Sequence, residues 1–174
     1  MITPKSIVPL MLLAAATAAA QSTVYLIRHG EKPSKGHGLT TQGEERAQCL
    51  VNVFSASSSY NIGHIIAQTP QPDGSQQRPY DTVLPLAQSL GLTVDTSCQR
   101  DDADCVQSVV DNYTGPGNIL ICWEHDNLSN IVTALGDDDA PSYPHKHFDL
   151  IWTDPYPYSS IVSVTSENCP GLDN

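Results

Sequence analysis

Val24-Tyr-Leu-Ile-Arg-His-Gly-Glu31 is the stretch on which the reading of this chain turns. Its first four residues are apolar, β-branched or aromatic, and read as a buried strand; the run stops at Arg28-His29-Gly30, where polar chemistry replaces packing. In an open α/β sheet ligands bind just outside the carboxyl ends of the strands, so a catalytic side chain would stand at this junction. Arg28 sets a permanent cation beside an imidazole, and Gly30 lets the backbone turn sharply and approach a ligand. The expected ligand is an anion. An Arg-His-Gly tripeptide is a weak signal by itself, and the rest of the chain has to supply its partners.

The 174 residues suffice for one domain with a single sizeable core. Residues 1–20 do not belong to that core. Lys5, the apolar run Ile7 to Ala16 broken by Pro9, and the small residues Ala18-Ala19-Ala20 have the form of a secretory signal peptide cut before Gln21. The run is shorter than the ~20 residues that span a bilayer, which disfavours a membrane anchor. The expectation is therefore a secreted, extracellular protein whose single domain is residues 21–174.

An oxidising compartment makes the five cysteines disulfide candidates. Cys98 and Cys105 bracket a short polar segment and form the first expected pair. Cys122 lies in an apolar strand and reads as a buried free thiol, leaving Cys49 and Cys169 as candidates for a second pair. The formal charge is −11, and losing Lys5 with the leader makes the mature chain more acidic still. That field argues against nucleic acid and anionic membrane partners, and any phosphate site must be a local concentration of Arg and His. Asn112-Tyr-Thr114 and Asn127-Leu-Ser129 match the glycosylation pattern.

A loop, Lys32 to Gly38, follows the first strand. Thr41 with Glu44 has capping-box spacing, and Ala47, Leu50, Val51 and Phe54 continue a helix. Ile65-Ile66-Ala67 is a second core strand, ending at Gln68-Thr69-Pro70. Arg78 stands at or just before the next helix, with Pro79 in its first turn, Pro85 predicting a kink and Gly91 a stop. Arg78 and Thr82 share a face. Leu92 to Asp95 reads as a short edge strand and Val106, Val109 and Val110 as a third helix. Ile119 to Trp123 is another strong strand, ending in Glu124-His125-Asp126-Asn127 before a helix through Leu128, Ile131, Val132 and Leu135. Phe148 to Trp152 and Ile161 to Val164 are the last two strands. His125 thus stands at a second strand-to-helix junction, and in a parallel sheet such junctions lie on one edge, so His29 and His125 can converge. The order of elements predicts an α/β fold: a three-layer helix–sheet–helix sandwich, mostly parallel, with an antiparallel edge.

Taken together, Val24 to Glu31, Leu39-Thr40 with Gly43 and Ala47, Arg78-Pro-Tyr-Asp-Thr82, and His125-Asp126-Asn127 resemble the motifs of the histidine phosphatase (phosphoglycerate mutase-like) superfamily, in the right order and across most of the mature chain. The resemblance implies that His29 is a nucleophile forming a phosphohistidine, and that Arg28, Arg78 and His125 clamp the phosphoryl oxygens. Planar guanidiniums suit that clamp, so lysine should not replace Arg28 or Arg78. No metal and no cofactor is implied; the expected partner is a small phosphorylated substrate. For the general acid, Asp126 comes first, with Glu31, Glu124, Asp101 and Asp102 as alternatives. Gln68-Thr69-Pro70 departs from the family's usual Ser-Pro-Leu strand end, with Thr69 as a stand-in for its oxygen-binding hydroxyl. The chain has no sizeable insertion to build a lid, so the site should be shallow and open.

The function expected is a secreted phosphomonoester hydrolase. A phosphomutase is a rival, as is a secreted binding protein that kept the fold with weak or no turnover. His37 and His64 read as ordinary surface or packing residues. His145-x-His147 reads as structural, because the acidic or cysteine partners of a closed metal site are not evident.

Overall fold

A computed structural model describes residues 21–173; the expected leader lies outside the described residues, as does Asn174. In chain order the elements are β1 (Thr23–Arg28), α1 (Thr41–Val53), β2 (Ile62–Ala67), α2 (Arg78–Leu90), β3 (Val94–Asp95), α3 (Ala103–Asp111), β4 (Asn118–Trp123), α4 (His125–Leu135), β5 (Leu150–Pro155) and β6 (Ser163–Ser166). They form one six-stranded sheet in the order β3-β2-β4-β1-β5-β6. β3, β2, β4 and β1 run parallel, while β5 is antiparallel to β1 and β6 to β5.

Strand alternation sends side chains to both faces, and each face needs its own helical cover. Ile27, Ile65 and Leu120 pack on one side with Leu50 and Phe54 from α1 and its end and Val83 and Leu86 of α2. Leu26, Ile121, Trp123 and Trp152 pack on the other with Val106 of α3 and Leu128 and Ile131 of α4. This is the mostly parallel three-layer sandwich expected, with its antiparallel edge. Because β1 and β4 are neighbours in register, Arg28 opposes Trp123, and the amide of His29 donates to the Trp123 carbonyl at 3.2 Å. The two strand ends that carry His29 and His125 are therefore side by side.

Local details differ from the sequence reading. The cap of α1 is Thr40 rather than Thr41: extended at φ −80° and ψ 168°, its hydroxyl accepts from the Gly43 amide. Its own amide donates to the Glu31 carbonyl at 2.9 Å, which anchors the helix start to the end of β1. β5 and β6 begin later than Phe148 and Ile161. Arg28 holds the carbonyls of His145 and His147 and stacks on Phe148, which keeps 145–148 irregular. In β6 the apolar Val164 is half exposed on an edge strand, and of the run at 161–164 it is Ile161, ahead of the strand, that packs against the core.

The disulfides are Cys49–Cys169 and Cys98–Cys105, and Cys122 is a buried free thiol. Among the described residues no helix is long and apolar enough to cross a membrane.

Candidate active site

His29 is fully buried at the end of β1. Its Nδ1 lies 2.7 Å from the Gly30 carbonyl oxygen, and a carbonyl can only accept, so Nδ1 carries the hydrogen and Nε2 is the nitrogen presented to the site. Nε2 lies 3.1 Å from Oε2 of Glu124. The other oxygen of that carboxylate, Oε1, lies 2.8 Å from Nδ1 of His125, so one carboxylate bridges the two imidazoles. Lys32 Nζ approaches Oε1 at 3.9 Å.

Glu124 is the residue before α4, yet it makes no side-chain cap on that helix. Its amide is held by Oε1 of the buried Gln68 at 3.2 Å, which leaves the carboxylate to the imidazoles. Burial would raise its pKa, but the hydrogen bond and charge of His29, the charge of Lys32 and the hydrogen bond of His125 outweigh that and hold it well below the usual carboxylate range. His125 is pushed below its ordinary value, first by burial and then by the nearby Arg28 charge, against the opposing pull of Asp126 and Glu124.

Arg28 is buried, donates from Nη1 to the carbonyls of His145 (2.7 Å) and His147 (2.9 Å), and lies 3.7 Å above the Phe148 ring. Its Nε is buried with no hydrogen-bond partner. Arg78 is placed differently: its guanidinium donates to the carbonyls of Gly36 and Gly38, so its hydrogen bonds tie down the 36–38 loop and go to neither imidazole. Its helix reaches the nucleophile through Thr82, whose buried hydroxyl accepts from the Gly30 amide at 2.9 Å and donates to the Arg78 carbonyl at 2.8 Å.

The carboxylates considered for proton transfer separate clearly. Glu31 is buried and taken up by Arg46, which approaches it at 2.7 Å and also binds Glu167 at 2.6 Å and Asp173 at 3.3 Å. Asp102 caps α3 by accepting from the Cys105 amide. Asp101 accepts from Arg100 and from Asn127. Asp126 lies 3.2 Å from His125 Nε2, but its side chain is 63% exposed, on the far side of that ring from Glu124. Thr69 donates its hydroxyl proton toward the Thr96 and Cys98 carbonyls, at 2.7 and 2.9 Å, and so serves the β3 side of the sheet.

Gln68, Thr82, Lys32 and His145 complete the surroundings, and none was singled out as a site residue in the sequence. His145 Nδ1 lies 2.7 Å from His125 Nε2, while His147 turns to Asp149 at 3.0 Å. The two histidines read as structural thus part company, and His145 joins His125 and Asp126, whose ligand atoms lie with its own within 4.8 Å of one another and could hold a metal ion. A second such group, Glu167, Cys169 and Asp173, has its cysteine locked in a disulfide and offers no thiolate. A separate cleft of about 660 Å³ between α1 and α2 is lined by Gly38, Leu39, Glu44 and Asp81 and includes neither imidazole.

No known family profile matches the chain, and no curated protein matches it. Its likeness is to solved structures. One is a protein from Agrobacterium tumefaciens provisionally assigned as the phosphohistidine phosphatase SixA: TM-score 0.58, 13% identity, covering 84% of this chain and 98% of the other. Another, with the same provisional assignment, is from Nakamurella multipartitia: TM-score 0.49, 13% identity, covering 83% and 93%. At that identity the first likeness establishes a shared α/β fold for this chain over most of its length.

Proposed function

We propose that this protein hydrolyses phosphomonoesters through a phosphohistidine formed on His29. The observation that carries the reading is the bridge at the sheet edge. Two imidazoles are held apart by the width of one carboxylate, and the nitrogen that His29 presents is the one freed by its Nδ1–carbonyl contact. A phosphoryl group placed there would have Nε2 in line for attack and His125 at an equatorial oxygen, with the Arg28 charge near enough to be felt at His125. The disulfides suit an oxidising compartment and support the expected secretion.

The rim favours one finer reading, a phosphorylated protein as substrate. The side chains of His145 and Asp126 are 79% and 63% exposed, so the site opens outward as a large substrate requires. The solved structure from Agrobacterium tumefaciens, provisionally assigned to phosphohistidine, supports a phosphorylated protein as substrate, there with a P–N bond in place of the ester.

The first experiment assays the purified protein on an aryl phosphate against His29→Ala. The variant is expected to lose at least about 1,000-fold in kcat/KM, as removal of a nucleophile does. Activity retained in the variant would overturn the reading, and an inactive wild type that still binds phosphate would favour the binding protein. Transfer to a second hydroxyl in preference to water would favour the mutase.

A further inference from the structure

We propose that Glu124 is the proton carrier of this site: it takes the proton that blocks His29 Nε2 and delivers it to the leaving oxygen. The inference rests on the phosphohistidine reading and names the residue that completes it.

Proton bookkeeping at the bridge leads there. Nδ1 of His29 must carry a hydrogen, because its neighbour is a carbonyl oxygen. At 3.1 Å, Nε2 and Oε2 of Glu124 need one further proton between them, since two bare lone pairs would repel. Whichever of the two atoms holds that proton, the lone pair of Nε2 is spent on the contact: it either carries the proton or accepts it from the carboxyl group. In either case the nucleophile has no free lone pair, and the Glu124 carboxyl group stands where a phosphoryl group must go.

An arriving phosphate dianion reverses both conditions. Like charge disfavours an ionised carboxylate, and the proton within reach is the one shared with Nε2. With that proton held by the carboxyl group, Glu124 is neutral, and Nε2 is free once the group turns away. The neutral carboxyl group holds its His125 contact less strongly than a carboxylate would and can turn on its three side-chain torsions, while Gln68 pins its backbone.

In the first step the Nε2–P bond forms, the P–O bond to the alcohol breaks, and Glu124 gives its proton to the departing oxygen. In the second, water attacks phosphorus, its proton passes to Glu124, and the Nε2–P bond breaks. Phosphate leaves, and the proton returns to the contact with Nε2. The sum is ester plus water to alcohol plus phosphate. Rival carboxylates are committed elsewhere: Glu31 to Arg46, Asp102 to the cap of α3, and Asp126 to the solvent side of His125.

The test compares wild type and Glu124→Gln on two substrates. para-Nitrophenyl phosphate has a leaving group that needs little protonation; glycerol phosphate has one that needs it. In kcat/KM, which reads only the step that forms phosphohistidine, the variant is expected to lose about 100-fold or more on glycerol phosphate and less than about tenfold on the aryl ester. Because the second step also needs Glu124, the variant should show a burst of nitrophenol, with acid-labile phosphate accumulating on the protein. That burst also reports a folded, competent site. A loss equal on both substrates, no loss, or a gain would overturn the proposal. His29→Ala serves as the control: if it keeps activity, the phosphohistidine reading fails instead.

Discussion

Single contacts decide the chemistry of individual groups here. His29 is an ordinary imidazole until the Gly30 carbonyl claims its Nδ1, after which only Nε2 can act. Asp154 illustrates the opposite case, a carboxylate with nothing to claim it. It is fully buried in β5, neither of its oxygens has a hydrogen-bond partner, and burial followed by the charge of Asp137 pushes its pKa up to about 7. An acid whose folded pKa exceeds its unfolded one contributes stability that is complete below the unfolded value, near pH 4, and is lost as pH rises through the folded value. The protein should therefore be less stable at pH 8 than at pH 5. Asp154→Asn, which stays neutral, should reduce that difference by on the order of 2 kcal/mol. Denaturant titrations of both proteins at the two pH values check this; an unchanged difference would mean that Asp154 does not titrate in the fold.

Among the elements, the meeting of β1 with α1 is the most constrained. Gly30 and Gly43 let two backbones touch: a Cβ on Gly43 would lie 2.5 Å from the Glu31 carbonyl oxygen and 2.8 Å from its amide nitrogen. Helix propensity alone favours Gly43→Ala by about 1 kcal/mol. The collision is with backbone, which cannot rotate away as a side chain would, so the sign reverses. Gly43→Ala is expected to destabilise by more than about 1 kcal/mol, within the range of overpacked sites, and to lower activity by displacing the His29 loop. Thermal unfolding and kcat/KM measured together test it, and a stabilised variant would show that the helix start can shift freely.

Across the whole molecule, the C-terminal segment is tied back to α1 twice. Cys49–Cys169 joins positions 120 residues apart, and Arg46, one helical turn before Cys49, gathers Glu31, Glu167 and Asp173. The disulfide closes most of the chain into one loop and so removes much unfolded-state entropy; Cys98–Cys105, with a separation of 7, removes less. Replacing Cys49 and Cys169 together by serine should cost about 2–5 kcal/mol, and replacing Cys98 and Cys105 less. Denaturant midpoints of the two double variants rank them, and equal midpoints would show that strain or unfolded-state structure outweighs loop length.

What the sequence determined by itself was whatever is written in short windows. The apolar runs of β1, β2 and β4, the periodic faces of the helices between them and the alternation of the two are local patterns, and they suffice for a parallel sheet covered on both sides. They also place His29 and His125 at strand ends, since β1 and β4 stop where polarity begins. The cysteine pairs were legible as candidates because the leader-like start made an oxidising compartment the expectation, and cysteines there have few other uses. Only the tertiary structure decided which side chains meet at that edge. Glu124 and His29 are 95 residues apart and become neighbours through strand pairing, while Glu31, two residues from the nucleophile, turns to Arg46. Buried in α1, Arg46 would pass in sequence for a surface charge. Arg78 and Thr69 spend their hydrogen bonds on backbone carbonyls for the same physical reason: a donor bonds the acceptor that packing brings near, and packing is not local.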